Sequence, residues 1–257
     1  MMVRKSPGEI ELMDEANRIV HQVLDGIATR VAPGVTTAEL DAFAEQTIRE
    51  AGAVPAFLDY KGYPATICAS RNDVIVHGIP NREPLAEGDI VGIDCGVIYQ
   101  GYFGDAARTF AVGEVDEITG ELLEVTRRSL DLAVERMTVG GRLSDIGHAV
   151  QAHVEAHGFS VVREFVGHGI GTALHEEPQV PNFGSPGEGP KLQPGLVLAI
   201  EPMVNAGGPG VRVDPDGWSA RTEDGSLSAH FEFSVAVTEV GPRVLGVESV
   251  SLEAATA

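Results

Sequence analysis

Cysteine is nearly missing from this 257-residue sequence: Cys68 and Cys95 are the only two, enough for at most one disulfide. That excludes a disulfide-stapled scaffold and fits a reducing compartment. Basic residues are short as well. Eighteen Lys plus Arg stand against 38 Asp plus Glu, a net charge of −20, which excludes general nucleic-acid binding because a phosphate backbone attracts basic surfaces. No stretch approaches the roughly 18 uninterrupted apolar residues of a membrane span, and Met1 to Pro7 lacks the apolar run of a signal peptide. A soluble, cytoplasmic protein without a membrane partner is expected. What the chain does have is apolar character: 43% hydrophobic against 22% charged residues exclude a mainly disordered chain and support a large core. The surplus of acid also leaves carboxylates available to hold a cation.

From Ile10 to Val31 apolar residues recur at three- and four-residue steps, which predicts an amphipathic helix stopped by Pro33-Gly34. Thr37 is placed to cap a second helix that runs through Leu40, Phe43, Ala44 and Ile48 and closes at Gly52. Short apolar runs at Ala65 to Ala69, Val74 to Val76, Ile90 to Ile98 and Phe110 to Val112 read as strands. Two more helices, Leu122 to Met137 and Ser144 to His157, precede strands at Val161 to Val166, Val197 to Ile200 and Phe231 to Val240. The order has come round twice. Shifted by 106, Gly34, Leu40, Ile48 and Gly52 fall on Gly140, Ile146, Val154 and Gly158; shifted by 107, Leu85, Gly88, Ile90, Ile93 and Asp94 fall on Leu192, Gly195, Val197, Ile200 and Glu201. His77-Gly78-Ile79 recurs as His168-Gly169-Ile170. Each half therefore runs helix, helix, His-Gly-Ile, then a strand ending in a carboxylate. One domain over 1–257 is expected, with related halves at about 10–112 and 118–240 around a shared sheet.

Asp94 ends an apolar run, and Asp105 follows a turn sequence at Gln100-Gly101, so a hairpin would bring the two carboxylates together. The second half supplies Glu201 after Leu196 to Ile200, and Glu232 inside an apolar strand, where an unpaired charge is costly. Four convergent carboxylates repel one another and take up protons unless a cation lies between them. With a single imidazole added, such a set suits Mn, Fe, Co or Zn, whereas oxygen ligands alone point to Mg or Ca. His77, His168 and His175 lie in loops beside these strands; of the two in His-Gly-Ile turns, one would be the ligand if the other faces substrate.

Taken together, His77-Gly78-Ile79-Pro80, the run Gly88 to Asp94, Gly104-Asp105-Ala106-Ala107, the run Gly167 to Gly171, His175-Glu176-Glu177-Pro178, Glu201-Pro202-Met203 and the run Leu227 to Glu232 resemble the bacterial type I methionine aminopeptidases. The resemblance extends from Ile10 to about Leu245. It implies an α+β pita-bread fold, two pseudo-symmetric halves around a curved antiparallel sheet, and a dinuclear metallopeptidase that removes the initiator Met from nascent polypeptides when the next residue is small. Carried over by position, Asp94, Asp105, His168, Glu201 and Glu232 would hold two divalent ions, from Co, Mn, Fe or Zn. Asp105 and Glu232 would bridge, Asp94 would hold one ion, and His168 and Glu201 the other, with an activated water as nucleophile. Glu201 would shuttle its proton, His175 stabilise charge on the tetrahedral oxygen, and His77 lie near the scissile nitrogen. Phe57, Tyr60, Tyr63, Cys68, Leu174 and Trp218, the only Trp, would form the methionine pocket, with His77 and His175 also touching substrate.

Phe103 and Phe233 stand where relatives often carry His, beside the expected bridging ligands. They are expected to face and touch each other. The extra N-terminal domain typical of prolidases is not expected, since residues 1–9 leave no space for it, and the second half carries no helical insertion of about 60 residues as in type II enzymes. A non-catalytic peptide-binding protein on the same scaffold would show gaps among the five ligand positions, and a broader pita-bread peptidase would differ in its pocket. A monomer is expected, and any ribosome contact must use surfaces other than the basic extension some relatives carry.

Overall fold

The computed structural model describes residues 2–247. Helix α1 spans Pro7–Ala28 and begins ahead of the expected Ile10, because Pro7 opens it and Ser6 caps it in a reciprocal box with Glu9. Helix α2 spans Thr37–Glu50. Its cap is Thr36 rather than Thr37: the Thr36 hydroxyl accepts from the Glu39 amide at 3.2 Å, and Glu39 accepts from the Thr36 amide at 2.8 Å. The first half adds β1 (Val54–Pro55), β2 (Ile67–Arg71), β3 (Val74–Val76), β4 (Ile90–Tyr99) and β5 (Tyr102–Ala111). The second half has α3 (Glu117–Glu135), α4 (Leu143–Ala156), β6 (Ser160–Val161), β7 (Gly167–Gly169), β8 (Glu176–Val180), β9 (Val197–Ile200), β10 (Met203–Asn205), β11 (Val211–Val213), β12 (Ala220–Thr222), β13 (Ser228–His230), β14 (Glu232–Thr238) and β15 (Gly241–Val244).

Nine strands form the main sheet in the order β1-β4-β5-β14-β9-β7-β8, with β2 also paired to β4 and β15 to β14. Every pairing is antiparallel. At its middle, β5 of the first half meets β14 of the second, with Glu232 opposite Ala107 and Phe233 opposite Ala106. The β4–β5 turn falls at Gln100 and Gly101, both with positive φ, as a two-residue hairpin turn requires.

Strand periodicity then sorts the sheet into two faces. Val91, Ile93, Cys95 and Val97 of β4 pack with Val20, Val23, Leu24 and Ile27 of α1. Leu198 and Ile200 of β9 and Phe233, Val235 and Val237 of β14 pack with apolar residues of α3 and α4. The intervening residues face away from the helices, and that face carries the acids. β4 matches the expected strand to within one residue at its end, whereas one strand boundary differs in a way that matters: β5 begins at Tyr102 rather than Phe110, so Asp105 as well as Asp94 lies inside a strand. Polar residues in Tyr102–Ala111 had hidden the strand, because its outward face is a site rather than a core. The expected strand Val161 to Val166 shrinks to Ser160–Val161.

Candidate active site

Asp94 pairs with Ala107 across β4–β5, Asp105 with Gly96, and Glu232 with Ala107 across β5–β14. All three carboxylates therefore emerge on one face of three adjacent strands. His168 of β7 pairs with Ala199, two residues before Glu201 and on the same face. Small residues at Gly96, Ala107 and Ala199 leave this face open between the larger polar groups.

One ligand atom each from Asp105, His168 and Glu232, all buried, lie within 4.8 Å of one another. His168 Nε2 is 3.6 Å from Glu201 Oε1 and 3.9 Å from Asp105 Oδ2. His168 Nδ1 is 3.0 Å from the Gly169 carbonyl, to which it donates, leaving Nε2 as the free acceptor toward the acids. Burial, reinforced by mutual repulsion, pushes Asp105, Glu201 and Glu232 well above the ordinary carboxylate range. Burial raises Asp94 to about 7, and a hydrogen bond with Asp105 partly opposes it. The imidazoles shift the other way. His77 and His168 fall to about 4, through burial first and repulsion from His175 second.

Asp94 Oδ1, Asp105 Oδ1 and Glu232 Oε1 are buried without a hydrogen-bond partner. Orphaned carboxylate oxygens facing a neutral imidazole acceptor are costly by themselves and are satisfied by a cation, so this donor set fits divalent metal. Carboxylates with one imidazole match first-row ions.

The acids line a cavity of about 210 Å³ together with His77, His168, His175, Lys61 and all six residues expected to form the methionine pocket, whereas Phe103 and Phe233 lie outside it. At one end, Phe57, Tyr63, Cys68 and Leu174 belong to a single apolar cluster with Tyr60 and Trp218 packed against it. Tyr63 and Trp218 meet edge to face at 5.1 Å between ring centres. The Tyr60 hydroxyl is 2.9 Å from His175 Nδ1, and the two rings stack. His77 has a positive φ of 60° and packs edge-on against Phe165. An L-residue in that conformation is held there by its surroundings, as often found where a side chain is aimed at a ligand.

Three neighbours went unread in the sequence. His230 is buried, with Nε2 3.9 Å from Glu201 Oε2 and no hydrogen-bond partner. Its position two residues before Glu232 was the available signal. Lys61 and Phe165 carry no comparable signal, since a lone surface Lys and a loop Phe are commonplace. The expected Phe103–Phe233 contact is wrong. Phe103 is two residues from Asp105 and shares its face, where it joins the pocket cluster; Phe233 is one residue from Glu232 and points to the helices, its ring 6.0 Å from that of His21. The period of two separates the rings across the sheet.

The sequence signature of metallopeptidase family M24 matches residues 11–239. The methionine aminopeptidase of Clostridium acetobutylicum is 49% identical over 246 residues, covering 95% of this chain and 98% of that relative. Among solved structures, methionine aminopeptidase from Thermotoga maritima superposes with a TM-score of 0.95 at 44% identity, covering 96% of this chain and all of that one. The prolidase from Pyrococcus furiosus shares the fold, with a TM-score of 0.77 at 22% identity over 96% of this chain and 66% of its own. The fold is the α+β pita-bread fold, and the chain belongs to metallopeptidase family M24, within its bacterial methionine aminopeptidases.

Proposed function

We propose that this protein hydrolyses the peptide bond after an N-terminal Met, releasing it from nascent polypeptides whose second residue is small. The observation that carries this reading is the joining, in one cavity, of a buried acid–imidazole cluster to an apolar end walled by Phe57, Tyr63, Cys68, Leu174 and Trp218. An unbranched thioether fills such a pocket while the following peptide bond lies over the acids.

Asp94, Asp105, His168, Glu201 and Glu232 are the proposed ligands of two divalent ions, from Co, Mn, Fe or Zn. Ions held there supply positive charge that polarises a carbonyl and acidifies water. Glu201, beside His168 Nε2 at 3.6 Å and on the cavity wall, would take the proton of the attacking water and return it to the leaving amine. His175, oriented by Tyr60, donates to the oxygen that gains charge on the tetrahedral carbon. His77, neutral at pH 7, accepts or donates at the scissile nitrogen. Because the proposed ligands come from both halves, 1–257 reads as one domain rather than two. No helix among the described residues is long and apolar enough to cross a membrane. A cytoplasmic monomer acting on chains as they leave the ribosome is part of the proposal.

The test is release of free Met from Met-Ala-Ser and Met-Leu-Ser by metal-reconstituted protein, with a Pro-X peptide alongside. Cleavage of Met-Ala-Ser well above the other two is expected. Preferential cleavage of the Pro-X peptide would refute the reading.

A further inference from the structure

We propose that Lys5, in the segment ahead of α1 and outside the matched family region, is a positioning residue for His175, acting through Glu176. Lys5 is 7% exposed, unusual for a lysine, and its Nζ donates to Glu176 Oε2 at 2.5 Å. The same carboxylate works in the other direction through Oε1, which accepts from the Thr172 amide at 2.9 Å and the Ala173 amide at 3.4 Å. Glu176 thus gathers the loop 171–176 around itself, and that loop carries Leu174 and His175 into the cavity.

Two further contacts anchor the ends. The Lys5 amide donates to the Gly195 carbonyl at 2.6 Å, tying the segment to the stretch that leads into β9, and the Phe103 amide donates to the Gly171 carbonyl at 2.9 Å. At Gly171 a Cβ would collide with both the Lys5 stem and the Glu176 carboxylate, so the loop has room for the ion pair only because this residue is glycine. The Lys5 ammonium neutralises a half-buried carboxylate one residue from His175, in a position where an unpaired charge is costly. Without it, Glu176 would turn toward solvent, release the Thr172 and Ala173 amides, and loosen the backbone of His175 against its Tyr60 partner. Tyr60 alone cannot hold the ring, since one hydrogen bond leaves the backbone free to pivot.

The inference rests on the proposed role of His175, so the variants are compared with H175A. K5M should lower kcat on Met-Ala-Ser about 10- to 100-fold, the loss expected when a catalytic group is misplaced by about 1 Å. KM should change less, because most of the Met pocket comes from other segments, and Mn affinity and the Tm of the metal-loaded protein should stay near wild type. E176Q keeps an acceptor for the loop amides but strands the ammonium. The double variant K5M/E176Q removes both charges and keeps the acceptor, so it should recover kcat above K5M. If K5M does not fold, the same comparison is made between E176Q and the double variant, which should be at least as active. Wild-type kcat in K5M beside an impaired H175A, a double variant that falls by the product of the single losses, or kcat losses that track Tm would each overturn the role of Lys5. Full activity in H175A would overturn the reading on which it stands.

Discussion

Removing metal should reverse the usual pH dependence of stability in this protein. In an ordinary ion-paired carboxylate the folded state lowers the pKa, and stability is lost in acid. Here the acids are shifted upward. For Asp94 the rise from 3.8 to about 7 means that the metal-free native state binds a proton more tightly than the unfolded chain between about pH 4 and pH 7. Stability contributed by the protonated form is fully present below the unfolded pKa and is lost as pH rises through the folded one. At about 1.4 kcal/mol per tenfold in proton affinity, the whole window is worth about 4 kcal/mol for this one group. That is a ceiling, because solvent reaches the partly exposed Asp94 side chain and Asp105 shares its proton. The assay is guanidinium unfolding of chelated protein at pH 5, 6, 7 and 8, with D94N in parallel so that unrelated titrations cancel. Wild type should lose up to about 3 kcal/mol relative to D94N between pH 5 and 8. Adding Mn or Co at about 100 times the dissociation constant should restore about 2.7 kcal/mol. A wild-type-minus-D94N difference that is flat with pH, or a Tm unmoved by metal whose binding calorimetry proves, would refute the reasoning.

Other outcomes follow from particular contacts. Trp218→Ala should raise KM for Met peptides and leave Mn affinity unchanged in titration calorimetry, because it removes one wall of the pocket and no acid. Norleucine peptides should remain substrates while Val and Ile peptides are poor, since a hydrophobic pocket separates side chains differing by one methylene by only about 1–3 kcal/mol, whereas a pocket that takes an unbranched side chain has no room for a branch at Cβ. Tyr60→Phe should lower kcat about five- to tenfold at pH 7, the loss of one hydrogen bond to His175, and leave Tm nearly unchanged. Phe103→His and Phe233→His should have additive effects on stability within about 0.5 kcal/mol, because the rings lie on opposite faces of the sheet.

The amino-acid sequence by itself determined the helices, the doubling and the chemistry. Apolar periodicity located α1 to α4 to within a few residues, since a helix burying one stripe must repeat that stripe along its length. The acids at 94, 105, 201 and 232 were conspicuous because buried carboxylates next to apolar runs need a reason to be there. Strand ends were harder to read. β5 faces helices with Ala106 and the site with Asp105, so its polar half looked like a turn until the β4 register placed it inside the sheet. Only the tertiary structure decided which groups meet. That β5 and β14 adjoin, and so bring ligand atoms of Asp105 and Glu232 within 4.8 Å of each other, depends on pairing between residues more than a hundred positions apart. The same is true of His230 against Glu201 and of Lys5 against Glu176, whose partners have no sequence neighbourhood in common. Facing was decided there too: Phe103 and Phe233 look equivalent as neighbours of ligands, but one lies two residues away and the other one, and the alternation of a strand sends them to opposite sides.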